Sequence, residues 1–223
     1  GIPFYGISVS GIRGKGVLSK LMAPVRVLHA ILQALKVLLT VKPDAVLGMG
    51  GFASGPGGLA AKILRKPLLI HEQNALAGLT NRVLAKMATS VMAAFPDAFP
   101  ESVTVKLTGN PLRDEISELF YKPKASPNKD GRIRLLVLGG SLGAAKLNAE
   151  VPDAISLLDK QLQPEVWHQT GKGKNQGVLA KYQTANVEAK VSEFIGNMAD
   201  AYRWADFVIC RAGALTISEL CVS

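Results

Sequence analysis

The chain has 223 residues, 48% of them hydrophobic and 19% charged, with a formal net charge of +9 and two cysteines. That apolar content excludes a disordered chain, and the length accommodates one large or two small domains with packed cores. The charge favours an anionic partner (nucleic acid, anionic lipid or a phosphorylated molecule), while Cys210 and Cys221, without paired Cys or His spacing, exclude a disulfide framework and a zinc site and fit a reducing cytoplasm.

In chain order, residues 1–10 read as the end of a strand. Over residues 21–39 apolar side chains recur at helical spacing, interrupted by Arg26, His29, Gln33 and Lys36, and Pro43 closes the segment. This predicts an amphipathic helix, broken near Pro24. No run of about 18 uninterrupted apolar residues occurs, which argues against a membrane span. The stretch Gly48-Met49-Gly50-Gly51-Phe52-Ala53-Ser54-Gly55-Pro56-Gly57-Gly58 follows the apolar run 45–47 and precedes the alanine-rich run 59–64. It reads as a strand entering a glycine loop and then a helix, an arrangement in which backbone N–H groups and a helix N-terminus can face a phosphate.

A strand is expected over 68–71, a helix over 77–87, and short strands over 90–93 and 103–107. Residues 118–131, with three lysines and two prolines, read as a solvated connection. A second set then begins with a strand over 132–138 and the loop Gly139-Gly140-Ser141-Leu142-Gly143, which opens a helix over 143–158. Strands over 165–169, 188–191 and 207–210 alternate with helices over 176–183, 198–204 and from 214. Alternating strands and helices imply an α/β fold with parallel sheets, whose ligands bind outside the carboxyl ends of the strands.

The chemistry of the loops narrows the ligand. Gly139, Gly140 and Gly143 do not make a G-x-G-x-x-G fingerprint, and no acidic residue follows at the expected strand end, which disfavours a nicotinamide cofactor. No Gly-Lys-Ser or Gly-Lys-Thr closes either loop, which argues against nucleotide triphosphate hydrolysis. No aspartate cluster resembles a metal site, so neither a metal nor another cofactor is expected. Basic residues are dispersed and 6% of residues are aromatic, a poor match to nucleic-acid binding.

Taken together, the 48–58 stretch, His71-Glu72-Gln73-Asn74, Gly109-Asn110-Pro111-Leu112-Arg113, the 139–144 loop and Ala214-Leu215-Thr216-Ile217-Ser218-Glu219 closely resemble the MurG family of bacterial peptidoglycan glycosyltransferases. The resemblance implies two Rossmann-like domains with parallel sheets (GT-B): an acceptor and membrane-side domain over 1–112 and a UDP-sugar domain over 113–223. The family opens with a Gly-Gly-Thr-Gly-Gly-His loop and continues past the position of Glu219. Neither part is in this chain, so both domains are expected to be incomplete and the chain to be an internal fragment.

The implied reaction is inverting transfer of N-acetylglucosamine from UDP-N-acetylglucosamine to undecaprenyl-diphosphate-linked N-acetylmuramyl-pentapeptide, at the cytoplasmic face of the inner membrane. Donor contacts would fall on Asn74, Arg113, Ser141, Ile195, Ala214, Leu215, Thr216 and Glu219, with Gly139, Gly140 and Gly143 around the diphosphate. Gly48, Gly50, Gly51 and Ser54 would serve the acceptor. Leu21, Val25, Leu28 and Ile31 form a helical stripe beside Lys20 and Arg26, a basic-rimmed apolar face that the resemblance assigns to the anionic membrane surface. The catalytic base is left open, with His71 and Glu72 as the residues that invite the role and His168 expected to have a structural or pocket-wall role. Two other readings stay open: another UDP-N-acetylglucosamine-using GT-B enzyme, and an inactive fragment that binds UDP or membranes.

Overall fold

A computed structural model describes residues 3–9, 22–121, 131–140 and 142–223. The chain divides into two compact units, Gly1–Asn110 and Pro111–Ser223.

The N-terminal unit contains α1 (Ala23–Val41), β1 (Val46–Gly48), α2 (Gly51–Ile63), β2 (Leu68–Glu72), α3 (Leu79–Ala85), β3 (Ser90–Ala93) and β4 (Val105–Leu107). Its described strands lie in the order β1-β2-β3-β4, all parallel. The core forms where Leu68 and Ile70, alternate residues of β2, meet Leu84 of α3 and Val91 and Ala93 of β3. Three expectations change here. Residues 3–9 form no strand. Pro24 lies in the first turn of α1, where its missing N–H costs nothing, so it starts the helix instead of breaking it. The glycine stretch is helical from Gly51 onward, with Pro56 inside. Glycine is tolerated there because bulk would not fit: a Cβ on buried Gly58 would meet Leu84 Cδ2 at 2.6 Å, and Ala60 and Ala61 are fully buried beside it.

The C-terminal unit contains α4 (Asp114–Ser117), a 3-10 turn at Glu118–Tyr121, β5 (Arg134–Leu138), α5 (Ala145–Ser156), β6 (Glu165–Gln169), α6 (Asn175–Thr184), β7 (Ala189–Ser192), α7 (Met198–Trp204), β8 (Phe207–Cys210) and α8 (Ala214–Leu220). The sheet order is β7-β6-β5-β8, all parallel. Every residue of β5 is buried, as a central parallel strand requires. Leu136 and Leu138 face one core with Ile116, Leu119, Ile195 and Tyr202, while Leu135 and Val137 face the other with Val151, Ile155, Val178 and Tyr182. Within 118–121, Glu118, Phe120 and Tyr121 are exposed as a solvated connection requires, but Leu119 is buried, because helical spacing from Ile116 puts both on one face. The rest of that connection, 122–130, lies outside the described residues.

Across the sheet, Arg134 at the start of β5 holds Asp206 just before β8. Nη2 reaches Oδ1 at 2.7 Å, Nε reaches Oδ2 at 3.1 Å, and the Arg134 backbone N–H donates to Oδ2 at 2.8 Å. The bidentate pair, raising the guanidinium pKa further, pins the strand that carries the 139–143 loop to the strand that leads into α8.

Candidate functional site

In the C-terminal unit the strand order reverses direction at β5, between β6 on one side and β8 on the other. That is the switch point where open α/β sheets leave a crevice at the strands' carboxyl ends. The 139–143 loop leaves β5 there and residues 211–213 leave β8, so chain topology alone brings two of the predicted segments together.

The loop's glycines have distinct reasons to be glycine. Gly139 donates to the Gln169 carbonyl at 3.0 Å, and a Cβ on it would press on the Ala144 nitrogen and the Gln169 oxygen, each at 2.9 Å. Gly143, at φ +72°, lies so close to the Thr170 carbonyl that a Cβ would collide with it. Both are thus required by loop-against-turn packing. Gly140, at φ +73°, has nothing within 4 Å of a Cβ and faces open space. The Lys174 ammonium donates to the Leu142 carbonyl at 2.7 Å, placing a cation against the loop that sequence reasoning did not single out. Ser141 lies outside the described residues. The loop opens α5, a 12-residue helix with no side-chain cap, whose first N–H groups are available to an anion.

Behind the loop, His168 is fully buried between the Tyr182 hydroxyl at 3.0 Å and Asn148 Oδ1 at 3.1 Å. Burial lowers its pKa to about 4, so it stays neutral. Asn148 in turn donates to the Thr170 carbonyl at 2.9 Å, which fixes the turn against which Gly143 packs. His168 has the structural role expected of it.

Arg113 and Glu219, 106 residues apart, meet: Nη2 lies 3.3 Å from Oε1. The other carboxylate oxygen, Oε2, accepts the Tyr202 hydroxyl at 2.8 Å. Tyr202 was missed because its distance of 17 residues from Glu219 follows no helical or strand period; only the fold, which sets Tyr202 of α7 and Leu220 of α8 against one core, makes the pair. Ala214 and Thr216 are half-buried on α8, and Leu215 is exposed. Ile195 is buried in the core between β7 and α7, so only its backbone can serve a ligand.

In the N-terminal unit the corresponding cluster lies at the carboxyl end of β2. The buried Glu72 carboxylate accepts four hydrogen bonds, from Asn74 N–H at 3.0 Å, Asn74 Nδ2 at 2.9 Å, Gly78 N–H at 3.1 Å and Asn81 Nδ2 at 2.9 Å. Burial pushes its pKa up, but the hydrogen bonds outweigh it and hold it below the usual value. Such a carboxylate is an anchor, and what it anchors is exposed Asn74. His71 Nε2 donates to the Gly109 carbonyl at 2.9 Å, which leaves Nδ1 to accept from Gln73 Nε2 at 3.3 Å. Both ring nitrogens are engaged.

Gly50, at φ 79° and ψ −167°, occupies a backbone region open only to glycine, and a Cβ there would touch Asn81 and Gln73. It turns the chain from β1 into α2 beside the β2 end. Gly48 is buried in β1; Gly51, at φ +73°, starts the helix. Ser54 lies one turn into α2, its hydroxyl donating to the Gly50 carbonyl at 2.5 Å. The four residues expected in one loop are therefore spread over a strand, a turn and a helix. The first N–H groups of α2 have no side-chain cap.

On α1, Val25 and Leu28 are 57% and 58% exposed, Ile31 is half-buried and Arg26 is exposed. Met22, Val27, Leu32 and Leu39 add further exposed apolar surface, wider than the predicted stripe. Only Ala30 and Ala34 are buried, small side chains that let α1 pack on α2. Lys20 and Leu21 lie outside the described residues. By length and composition alone α1 is apolar enough to cross a membrane, with mean hydropathy 1.5, although Arg26, His29, Gln33 and Lys36 interrupt its apolar run.

Comparison with known proteins gives both units relatives. The glycosyltransferase family 28 N-terminal domain matches residues 1–93 and the family 28 C-terminal domain matches residues 134–223. Similar proteins named UDP-N-acetylglucosamine–N-acetylmuramyl-(pentapeptide) pyrophosphoryl-undecaprenol N-acetylglucosamine transferase occur in Marinobacter nauticus, 47% identical over 222 residues, and Pseudomonas syringae pv. tomato, 52% identical over 220 residues. The alignments cover 100% and 99% of this chain and 61% of each relative, so the chain spans about three fifths of their length. The crystal structure of Acinetobacter baumannii MurG superposes with a TM-score of 0.72 at 40% identity, over 99% of this chain and 62% of that one.

Proposed function

Because the chain belongs to glycosyltransferase family 28, with a GT-B fold, we propose that it carries most of the machinery for moving N-acetylglucosamine from UDP-N-acetylglucosamine to undecaprenyl-diphosphate-linked N-acetylmuramyl-pentapeptide, with inversion at the anomeric carbon. The observation that carries the donor half is the meeting of Arg113 with Glu219 of α8, the helix that follows β8, whose neighbour β5 leads into the 139–143 loop at the switch point. Glu219 accepts the ribose hydroxyls. Ala214, Leu215 and Thr216 line the sugar's pocket, and the Ile195 backbone meets the uracil. Loop N–H groups, Ser141 and the first turn of α5 face the diphosphate, where negative charge grows as UDP departs. Preorganised N–H donors stabilise that charge more in the transition state than in the ground state.

In the N-terminal unit, Gly50 and the uncapped start of α2 supply the corresponding surface for the acceptor's diphosphate, and the Glu72-held Asn74 meets the transferred sugar or the acceptor. The exposed apolar side chains of α1, with Arg26 and Lys20, seat the protein on the anionic cytoplasmic face of the inner membrane. Charge reversal at Lys20 and Arg26 is expected to lower binding to anionic vesicles, and unchanged binding contradicts the seating.

The reaction is tested by following label from UDP-[14C]-N-acetylglucosamine into a lipid-linked muramyl-pentapeptide acceptor. Labelled disaccharide product with release of UDP is expected from the chain extended to its relatives' length. Release of UDP without labelled lipid, or no turnover of that extended protein, contradicts the proposal.

A further inference from the structure

Glu219 is held asymmetrically. Its Oε2 takes a proton donor from inside the protein and its Oε1 a cation from the surface. Tyr202 is 3% exposed, packed in the core with Leu136, Ile195 and Ala201, and its hydroxyl emerges from that core to reach Oε2 at 2.8 Å. A ring so enclosed has two torsions and no room to turn, so its hydroxyl is a fixed point. Burial, then the neighbouring carboxylate, raise the phenol's pKa well above its usual value, so the group remains a neutral donor. The Arg113 side chain is 51% exposed and lies 3.3 Å from Oε1. With the guanidinium half in water, this ion pair is screened and exchanges readily.

We propose that Tyr202 is the positioning residue for nucleotide recognition: its buried phenol fixes the Glu219 carboxylate through Oε2, leaving Oε1 as the oxygen that trades its contact with Arg113 for a hydroxyl of a bound vicinal diol. This rests on the reading of Glu219 as the ribose acceptor. The occupant has the chemistry of a ribonucleoside diphosphate, whose diol donates to the carboxylate while its anionic end receives the released guanidinium. Without the phenol, the flexible glutamate side chain turns toward Arg113 with both oxygens, and the ion pair competes with the ligand for the carboxylate.

The test is calorimetric titration of the chain with UDP and with 2′-deoxy-UDP, comparing wild type, Tyr202→Phe, Glu219→Ala and the double variant. Wild type is expected to bind UDP about tenfold more tightly than the deoxy analogue, the worth of one hydrogen bond to a charged group. Tyr202→Phe is expected to lose most of that preference while keeping the wild-type circular dichroism spectrum. Because the phenol acts through Glu219, the double variant is expected to bind UDP as Glu219→Ala alone does. A Tyr202→Phe protein that retains the ribose preference, or losses that add in the double variant, would overturn the positioning role. Wild type that binds both nucleotides equally, or neither, overturns the ribose reading of Glu219 and this inference with it.

Discussion

In the N-terminal unit the glycines after β1 are built into a helix, whereas in the C-terminal unit those after β5 form a loop wedged against the turn that follows β6. Both segments follow a parallel strand and both precede uncapped helix N–H groups, so they suit an anion equally well. They differ in what would happen to an added methyl group. In α2 the neighbour is a leucine side chain that can move; in the loop it is backbone that cannot. Glycine in the first segment permits close packing of helices, and in the second it permits contact of main chain with main chain. A bound diphosphate would therefore meet main chain packed on main chain in the C-terminal unit and a helix start beside Gly50 in the N-terminal one.

Substitution and pH should separate the two segments. The largest effect is expected for Gly143→Ala, which combines a left-handed φ with collision against the Thr170 carbonyl and should destabilise the C-terminal unit by about 4 kcal/mol in denaturant unfolding. Acidification comes next. His168 has a folded-state pKa of about 4 against an ordinary value near 6.5, so the unfolded chain takes up a proton that the folded one refuses. Its contribution is fully present above about pH 6.5 and is lost as pH falls toward 4, to a limit of about 3 kcal/mol. Unfolding measured across that window should show the slope in the C-terminal unit, and His168→Gln should flatten it.

In α2 the changes are smaller and reverse in sign along the helix. Gly58→Ala should cost about 1–2 kcal/mol, since Leu84 must shift to admit the methyl group. Gly57→Ala, one residue earlier with nothing within 4 Å, should stabilise by about 0.5–1 kcal/mol because alanine loses less entropy in a helix. Equal losses at Gly57, Gly58 and Gly143 in thermal unfolding would erase the distinction between the segments.

Where a short apolar run was bounded by turn residues, the sequence placed elements to the residue: strands Ser90–Ala93, Glu165–Gln169 and Phe207–Cys210 and the helix Met198–Trp204 have the predicted limits. It failed where tertiary packing overrode local propensity. A helix containing Gly55, Pro56, Gly57 and Gly58 looks like a loop until the close approach of Leu84 is known. Leu119 looks like part of a polar linker until Ile116 is seen beside it in the core.

The candidate site divides the same way. Arg113, Glu219 and the 139–143 loop were recognisable from their motifs, but that Arg113 and Glu219 touch, and that Tyr202 completes the group, depends on sheet order and on the core that Tyr202 and Leu220 share. Of the four hydrogen bonds that turn Glu72 from a tempting base into an anchor for Asn74, the two from Gly78 and Asn81 were equally invisible, because they form only when the chain folds back from β2 into α3.

The most direct test of a nucleotide-sugar site at the C-terminal switch point is calorimetric titration with UDP-N-acetylglucosamine of the chain, Arg113→Ala and Glu219→Ala. Saturable binding by the wild type, weakened about tenfold or more in each variant, is the expected result for loss of a charged hydrogen-bonding partner. Binding of equal strength by all three proteins would contradict the site.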